Sequence, residues 1–282
     1  MRLGLAVVLG AACASCTLLV STSGLVGGEG TPAPGDGDGG AAGDADASLD
    51  GGPRGDGSAS DSESGSDAGG LPCGEPNVIV CDDFERTTGL GSWTGEQVST
   101  GGAVGTTTMD ARRGQRAFRA FTPASSDIGN AFYGIDYGKV ATKRIEYRFA
   151  LRVLGAASAG TLGQVQNFSI KKGADNWNVY VHVQDYGVYL AEQSFPNGTA
   201  AKYEQYPIPE ILQGGPWRDV VVEVTIGSPS RLRVTVDGKQ SVDHESTTGI
   251  PSGAVGAVTG IGYQGGHPRS EVLVDDVVLI VE

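Results

Sequence analysis

Arg144-Ile-Glu-Tyr-Arg-Phe-Ala-Leu-Arg-Val153 is the stretch that decides the fold. Ile145, Tyr147, Phe149, Leu151 and Val153 are apolar, while Arg144, Glu146, Arg148 and Arg152 between them are charged. A period of two sends these two sets to opposite faces of a pleated strand, whereas a helix would scatter them. The same alternation returns around it. Trp177, Val179, Val181 and Val183 form one phase of a strand that also carries Asn178, Tyr180, His182 and Gln184. After Asp185-Tyr-Gly the chain returns through Val188-Tyr-Leu-Ala. Further runs follow at Trp217–Ile226, Arg231–Val236, Gln240–Asp243, Val255–Tyr263 and Glu271–Val281. Asp237-Gly238 stands between two of them, and both residue types accept the positive φ of a two-residue hairpin turn. Trp177 and Trp217 fall in the apolar phase and are expected in the core. Short strands at regular spacing predict an all-β, two-sheet antiparallel sandwich over residues 73–282.

Three segments carry a family resemblance. Asp82-Asp83-Phe84-Glu85 with Trp93 resembles the opening strand of concanavalin A-like (laminin G-like) jelly rolls. Trp217-Arg-Asp-Val-Val-Val-Glu-Val followed by Leu232-Arg-Val-Thr-Val-Asp-Gly resembles their consecutive strands. Val274-Asp-Asp-Val-Val-Leu resembles their last strand, which pairs beside the first. The resemblance implies a jelly roll. It also implies a structural calcium ion held near Asp83 and Asp275, although Asp-Asp pairs at strand ends are commonly solvent-facing. Function does not follow from so widely reused a fold.

The front of the chain differs in character. Residues 1–16 place one arginine before a short apolar run that ends among small residues and cysteines, the pattern of a secretory signal. It resembles bacterial lipoprotein signals, and the expected lipidation site is Cys16, with Cys13 as the alternative. The Thr17-Leu-Leu-Val-Ser-Thr-Ser-Gly-Leu that follows resembles the mature start of many deltaproteobacterial lipoproteins. Acyl chains contribute about 0.8 kcal/mol per buried methylene, enough in combination to hold a protein on a membrane. The resemblance implies export and anchoring at the outer membrane. An ordinary cleaved signal is the other reading.

Residues 17–72 read as a disordered tether. From Gly27 onward they are Gly, Ala, Asp and Ser, with Leu49 and Leu71 among the few large apolar side chains. Such a composition cannot offset its ordering entropy by burial. Ten acids stand there against Arg54 alone, so about nine of the thirteen net negative charges belong to this segment. The acidity is therefore no evidence for a basic partner. A flexible coil of about forty-five residues spans roughly 35–40 Å. Cys73 and Cys81 then bracket a short loop, and an exported protein would join them as a disulfide; a reactive thiol or metal pair is the alternative.

The chemistry is less determined. No glutamate is followed two residues on by aspartate, as the laminarinase-like hydrolases of this fold require, and no Gly-x-Ser-x-Gly elbow is present. His182, His244 and His267 show no paired metal-ligand spacing, which speaks against a zinc centre. Arg144-Ile-Glu-Tyr-Arg148 resembles the Arg-x-Glu-x-Arg motif of alginate lyases. By that resemblance Arg148, His182, Gln184 and Tyr189 would be catalytic in a polysaccharide lyase. The Gln-Ile-His order of those enzymes is absent, and an alternating Arg/Glu strand is commonly a solvated face with cross-strand ion pairs.

The leading expectation is a non-catalytic module. Its carbohydrate-binding face would carry Arg148, Asn178, Tyr180, His182, Gln184 and Tyr189 and take a carbohydrate or another cell-envelope component. No cofactor is required by this reading. A structural envelope lipoprotein without a small ligand is the third reading. The acidic domain has no basic stripe, so nucleic acid is not an expected partner.

Overall fold

The computed structural model describes residues 71–124, 129–136, 138, 141–156, 163–184, 187–264 and 269–282. The expected signal, Cys13, Cys16 and nearly all of the tether lie outside them. Fifteen strands are described: β1 (Val78–Asp82), β2 (Gly95–Val98), β3 (Ala103–Thr107), β4 (Ala117–Thr122), β5 (Gly129–Asp136), β6 (Arg144–Ala156), β7 (Gln164–Lys172), β8 (Asp175–Gln184), β9 (Gly187–Phe195), β10 (Lys202–Pro207), β11 (Arg218–Thr225), β12 (Ser230–Val236), β13 (Lys239–Ser246), β14 (Ala254–Gln264) and β15 (Ser270–Val281). Among the described residues no helix is long and apolar enough to cross a membrane.

The strands form two antiparallel sheets. One runs β13-β12-β11-β6-β15-β4-β3, with β1 also paired to β15. The other runs β10-β9-β8-β7-β14-β5-β2. The jelly-roll expectation is met, including the pairing of the first strand beside the last. Asp237 and Gly238 take φ of 50° and 75°, so the β12–β13 hairpin closes on the left-handed turn that Asp-Gly favours. Cys73 and Cys81 are joined by a disulfide with their Cα atoms 5.3 Å apart. Cys81 pairs with Val278, so the bridge ties the start of the domain to β15.

The core fills the space between the sheets. Ile145, Tyr147, Phe149 and Leu151 of β6 meet Phe168, Trp177, Val179 and Leu190 from the opposite sheet in one apolar cluster. Trp177 is fully buried, and its indole N–H donates to Thr248 Oγ1 at 2.7 Å. Trp217 corrects the expectation of a second core tryptophan. It precedes β11, is only partly buried, and donates its indole N–H to Asp110 at 3.1 Å. A strand's phase cannot be extended to a residue that the strand does not contain.

One irregularity shapes the second sheet. Gln166 takes φ of 51° where the β7–β8 register shifts between Val165 and Asn167. This bulge turns the Gln166 side chain inward, where its Oε1 accepts a hydrogen bond from Tyr147 at 3.0 Å. Asn167 and Ser169 then fall on the solvent side, in register with Tyr180 and Asn178.

Candidate functional site on the outer face of the second sheet

Alternation along β8 sends Trp177, Val179, Val181 and Val183 into the core and leaves Asn178, Tyr180, His182 and Gln184 on the outer face. The neighbouring strand adds Tyr189 opposite His182 and Ala191 opposite Tyr180. Beyond it, the edge strand β10 sets Gln205 beside Ala191 and Tyr203 beside Gln193. Ala191 presents only a methyl group between these rows, so the longer side chains of β10 reach across β9.

They converge on one imidazole. The Tyr203 hydroxyl lies 2.9 Å from Nδ1 of His182, and the amide nitrogens of Gln184 and Gln205 lie 3.1 and 3.2 Å from the same atom. Gln205 Nε2 also donates to the Tyr203 hydroxyl. Amide nitrogens only donate, so Nδ1 is an acceptor and the proton of a neutral imidazole sits on Nε2. The Tyr180 ring meets the imidazole edge-on at 5.8 Å. Tyr180 is 3% exposed, whereas Tyr203 is 44% exposed.

Amides extend the cluster along the sheet. Asn167 Nδ2 donates to Gln164 Oε1 at 3.3 Å. The carbonyl oxygens of Asn167, Asn178 and Gln184 are shielded and accept no hydrogen bond from the protein. The strands of this sheet contain no arginine, and their lysines, Lys171, Lys172 and Lys202, stand at strand ends. Around His182 the face is thus an array of amides, phenols and one imidazole, and further along the sheet the Asp136 carboxylate stands across Gly256 from Ser169.

Arg148 does not belong to it. It lies on β6 of the other sheet, opposite Val221, and its guanidinium pairs with Glu146. There it joins a ladder in which Arg144 bonds Glu223 at 2.8 Å and Arg231 bonds Asp243 at 2.7 Å. The Arg-x-Glu-x-Arg strand is therefore a face of ion pairs on the side of the sandwich away from His182. Conversely, Tyr203 and Gln205 escape a reading by periodicity. On β10 the inward positions are Glu204 and Tyr206, so the short strand shows no apolar alternation to announce itself.

Asp83 and Asp275 differ in setting. Asp83 is exposed and accepts the Glu85 N–H at 3.2 Å. Asp275 is buried, and its carboxylate accepts the backbone N–H groups of Arg112 (3.0 Å), Arg113 (3.2 Å) and Asp276 (2.9 Å). Calcium needs six to eight oxygens, and N–H donors aimed at Asp275 occupy the directions an ion would use. This donor pattern does not fit calcium. The buried aspartate of the opening segment is Asp82, which accepts from the Trp93 indole (2.9 Å) and the Phe84 N–H (2.9 Å) and pairs with Arg86.

With this geometry established, comparison with known proteins bears on the fold. No family model matches the chain, and no curated protein sequence matches it. Solved structures do. The chain is similar to an endo-β-1,4-glucuronan lyase from the fungus Trichoderma reesei, with a TM-score of 0.54 and 15% identity over 67% of this chain and 91% of that one. It is also similar to the alginate lyase vAL-1 from Chlorella virus, with a TM-score of 0.50 and 12% identity over 73% of this chain and all of the other. The likeness is one of fold. At these identities it assigns no residue a role.

Proposed function

We propose that this sandwich binds a polysaccharide across the outer face of its second sheet. The observation that carries the reading is the convergence of Gln184, Gln205 and the exposed Tyr203 on His182. Sugar hydroxyls both donate and accept. An array of amide and phenol groups matches them, and the exposed Tyr203 ring suits the apolar face of a pyranose. The two fold relatives named above act on polysaccharides, which supports this class of ligand. A glycan array and a cell-wall pulldown with the full chain test the reading. Retention above that of a His182→Ala, Tyr203→Ala double variant is expected, and equal retention sinks it.

The same cluster supports cleavage as a second reading. Tyr203, on passing its hydroxyl proton to His182 Nδ1, would take as a phenolate the proton beside a uronate carboxylate and return it to the departing glycosidic oxygen. The C–H and C–O bonds break, a C=C bond forms, and the proton ends on the leaving hydroxyl. The amides would bear on the carboxylate in place of a cation. The lack of arginine in this sheet favours binding over elimination. Ultraviolet absorbance from unsaturated products on glucuronan-like and alginate-like chains separates the two readings.

Display at a membrane completes the proposal. Lipidation at Cys16 and a soluble acidic tether would hold the sandwich away from the lipid headgroups of the outer membrane. Metabolic labelling with a fatty-acid analogue, lost in Cys16→Ser and retained in Cys13→Ser, is the expected result.

A further inference from the structure

On β10 the residues that alternate with Tyr203 and Gln205 point the other way, into the open edge of the sandwich. There Glu204 and Tyr206 meet Glu192 of β9 and His244 of β13, so the group bridges the two sheets. One ligand-type atom from each of Glu192, Glu204 and His244 lies within 4.8 Å of the others.

The hydrogen bonding in this cluster leaves groups unmatched. Glu192 is fully buried and, among the described residues, forms no ion pair with lysine or arginine. Its carboxylate accepts from Ser246 Oγ (2.8 Å), Thr248 Oγ1 (3.0 Å) and the Tyr206 hydroxyl (3.1 Å). The same Tyr206 hydroxyl also contacts Glu204 Oε2. A phenol has one proton, so it serves only one of the two carboxylates. Glu204 also accepts the Thr247 hydroxyl, at 2.6 Å. His244 Nε2 lies 3.3 Å from Glu204 Oε2, is shielded from solvent, and makes no hydrogen bond. Its ring stacks at 4.4 Å on Tyr206. Two carboxyl groups and an imidazole nitrogen that makes no hydrogen bond thus face one another.

We propose that Glu192, Glu204 and His244 bind a divalent transition-metal ion of zinc's class. One imidazole nitrogen and two carboxylate oxygens are a common three-ligand set for such ions, with a fourth position open to water, and two carboxylates neutralise the charge of the ion. Tyr206 and the hydroxyls of Ser246, Thr247 and Thr248 supply the outer bonds that orient ligating carboxylates. The ligands are separated by 12 and 40 residues in sequence, so linear spacing conceals them. The ion would staple β9 and β10 to β13 across the sandwich and steady the edge strand that presents Tyr203 and Gln205.

The test uses the full chain, stripped with a chelator and titrated with Co²⁺. One equivalent should give the intense visible absorption of low-coordinate cobalt, displaced by Zn²⁺, and Zn²⁺ should raise the thermal unfolding midpoint. Glu204→Gln, which keeps the side-chain shape, and His244→Ala should each weaken Zn²⁺ binding at least tenfold, and His267→Ala should not. Should either variant fold poorly, the cobalt spectrum of the unaltered chain still decides the matter. A spectrum that stays that of hydrated Co²⁺ overturns the proposal. So does a signal lost in His182→Ala but kept in His244→Ala, or stabilisation that follows pH alone, which would mean a shared proton.

Discussion

The Tyr203 hydroxyl stands 2.9 Å from Nδ1 of His182, although an entire strand, β9, separates their backbones. The contact exists because the row between them is narrow at Ala191, and because Gln184 and Gln205 hold the imidazole as an acceptor. It joins the second sheet's edge to its interior and is the centre of the proposed glycan face.

Tyr203→Phe removes one hydrogen bond from that face and leaves the ring. A hydrogen bond contributes a net ~0.5–1.5 kcal/mol, so affinity for a glycan retained by the parent should fall about threefold to tenfold. Arg148→Ala, on the opposite sheet, should leave affinity unchanged. Titration calorimetry with the retained oligosaccharide reads both. A loss confined to Arg148→Ala would place the ligand on the other sheet.

Cys73→Ser opens a nine-residue loop at the domain's threshold. Chain entropy predicts a loss of about 2–3 kcal/mol in stability, seen as a lower urea midpoint with an unchanged baseline signal. The same shift should appear when the parent is reduced, and reduction should not move the variant further.

Tyr147→Phe tests the polar contact through the core. The buried hydroxyl lies 3.0 Å from Gln166 Oε1 and 3.1 Å from the Val258 carbonyl, and burial pushes its pKa far up, so it stays a neutral donor. Removing it strands the inward amide of the β7 bulge. A cost of about 1–2 kcal/mol is expected by denaturant unfolding. A neutral result would show that Gln166 finds another partner.

Asp275 should impose a pH dependence. Burial pushes its carboxyl up to about 7, with the three backbone N–H donors offsetting part of the rise, and the neighbouring Asp276 is raised as well. The folded state therefore keeps a proton that the unfolded chain releases above its ordinary value of 3.8. Stability from this group is full below that value and declines as pH rises through about 7. Asp275→Asn should flatten the slope between about pH 4 and pH 7, as read by urea midpoints across that range. An unchanged slope would assign it to other groups.

Which parts of this were legible in advance follows from what periodicity measures. Alternation on β6 and β8 reports that Tyr147 and Trp177 face inward and that Arg148 and His182 face outward, because side chains on a strand change sides at every residue. It does not report which sheet a strand joins, so alternation alone cannot separate Arg148 from His182. Nor does it fix where a strand begins: Trp217 continues the alternation of β11 but lies outside it. Tyr203 and Gln205 sit on an edge strand whose inward side is itself polar, where Glu204 and Tyr206 gather with Glu192 and His244.

The amino-acid sequence by itself determined the all-β class, the face each main strand turns to the core, the Asp237-Gly238 hairpin and the joining of Cys73 to Cys81. Those are short-range matters of alternation, turn chemistry and spacing. Only the tertiary structure decided that Tyr203 meets His182, that Arg148 belongs to the other side, and that Glu192, Glu204 and His244 share one corner. Strand order brings together residues that local periodicity cannot relate, because hydrogen bonding between distant strands, and not spacing along the chain, sets their distance.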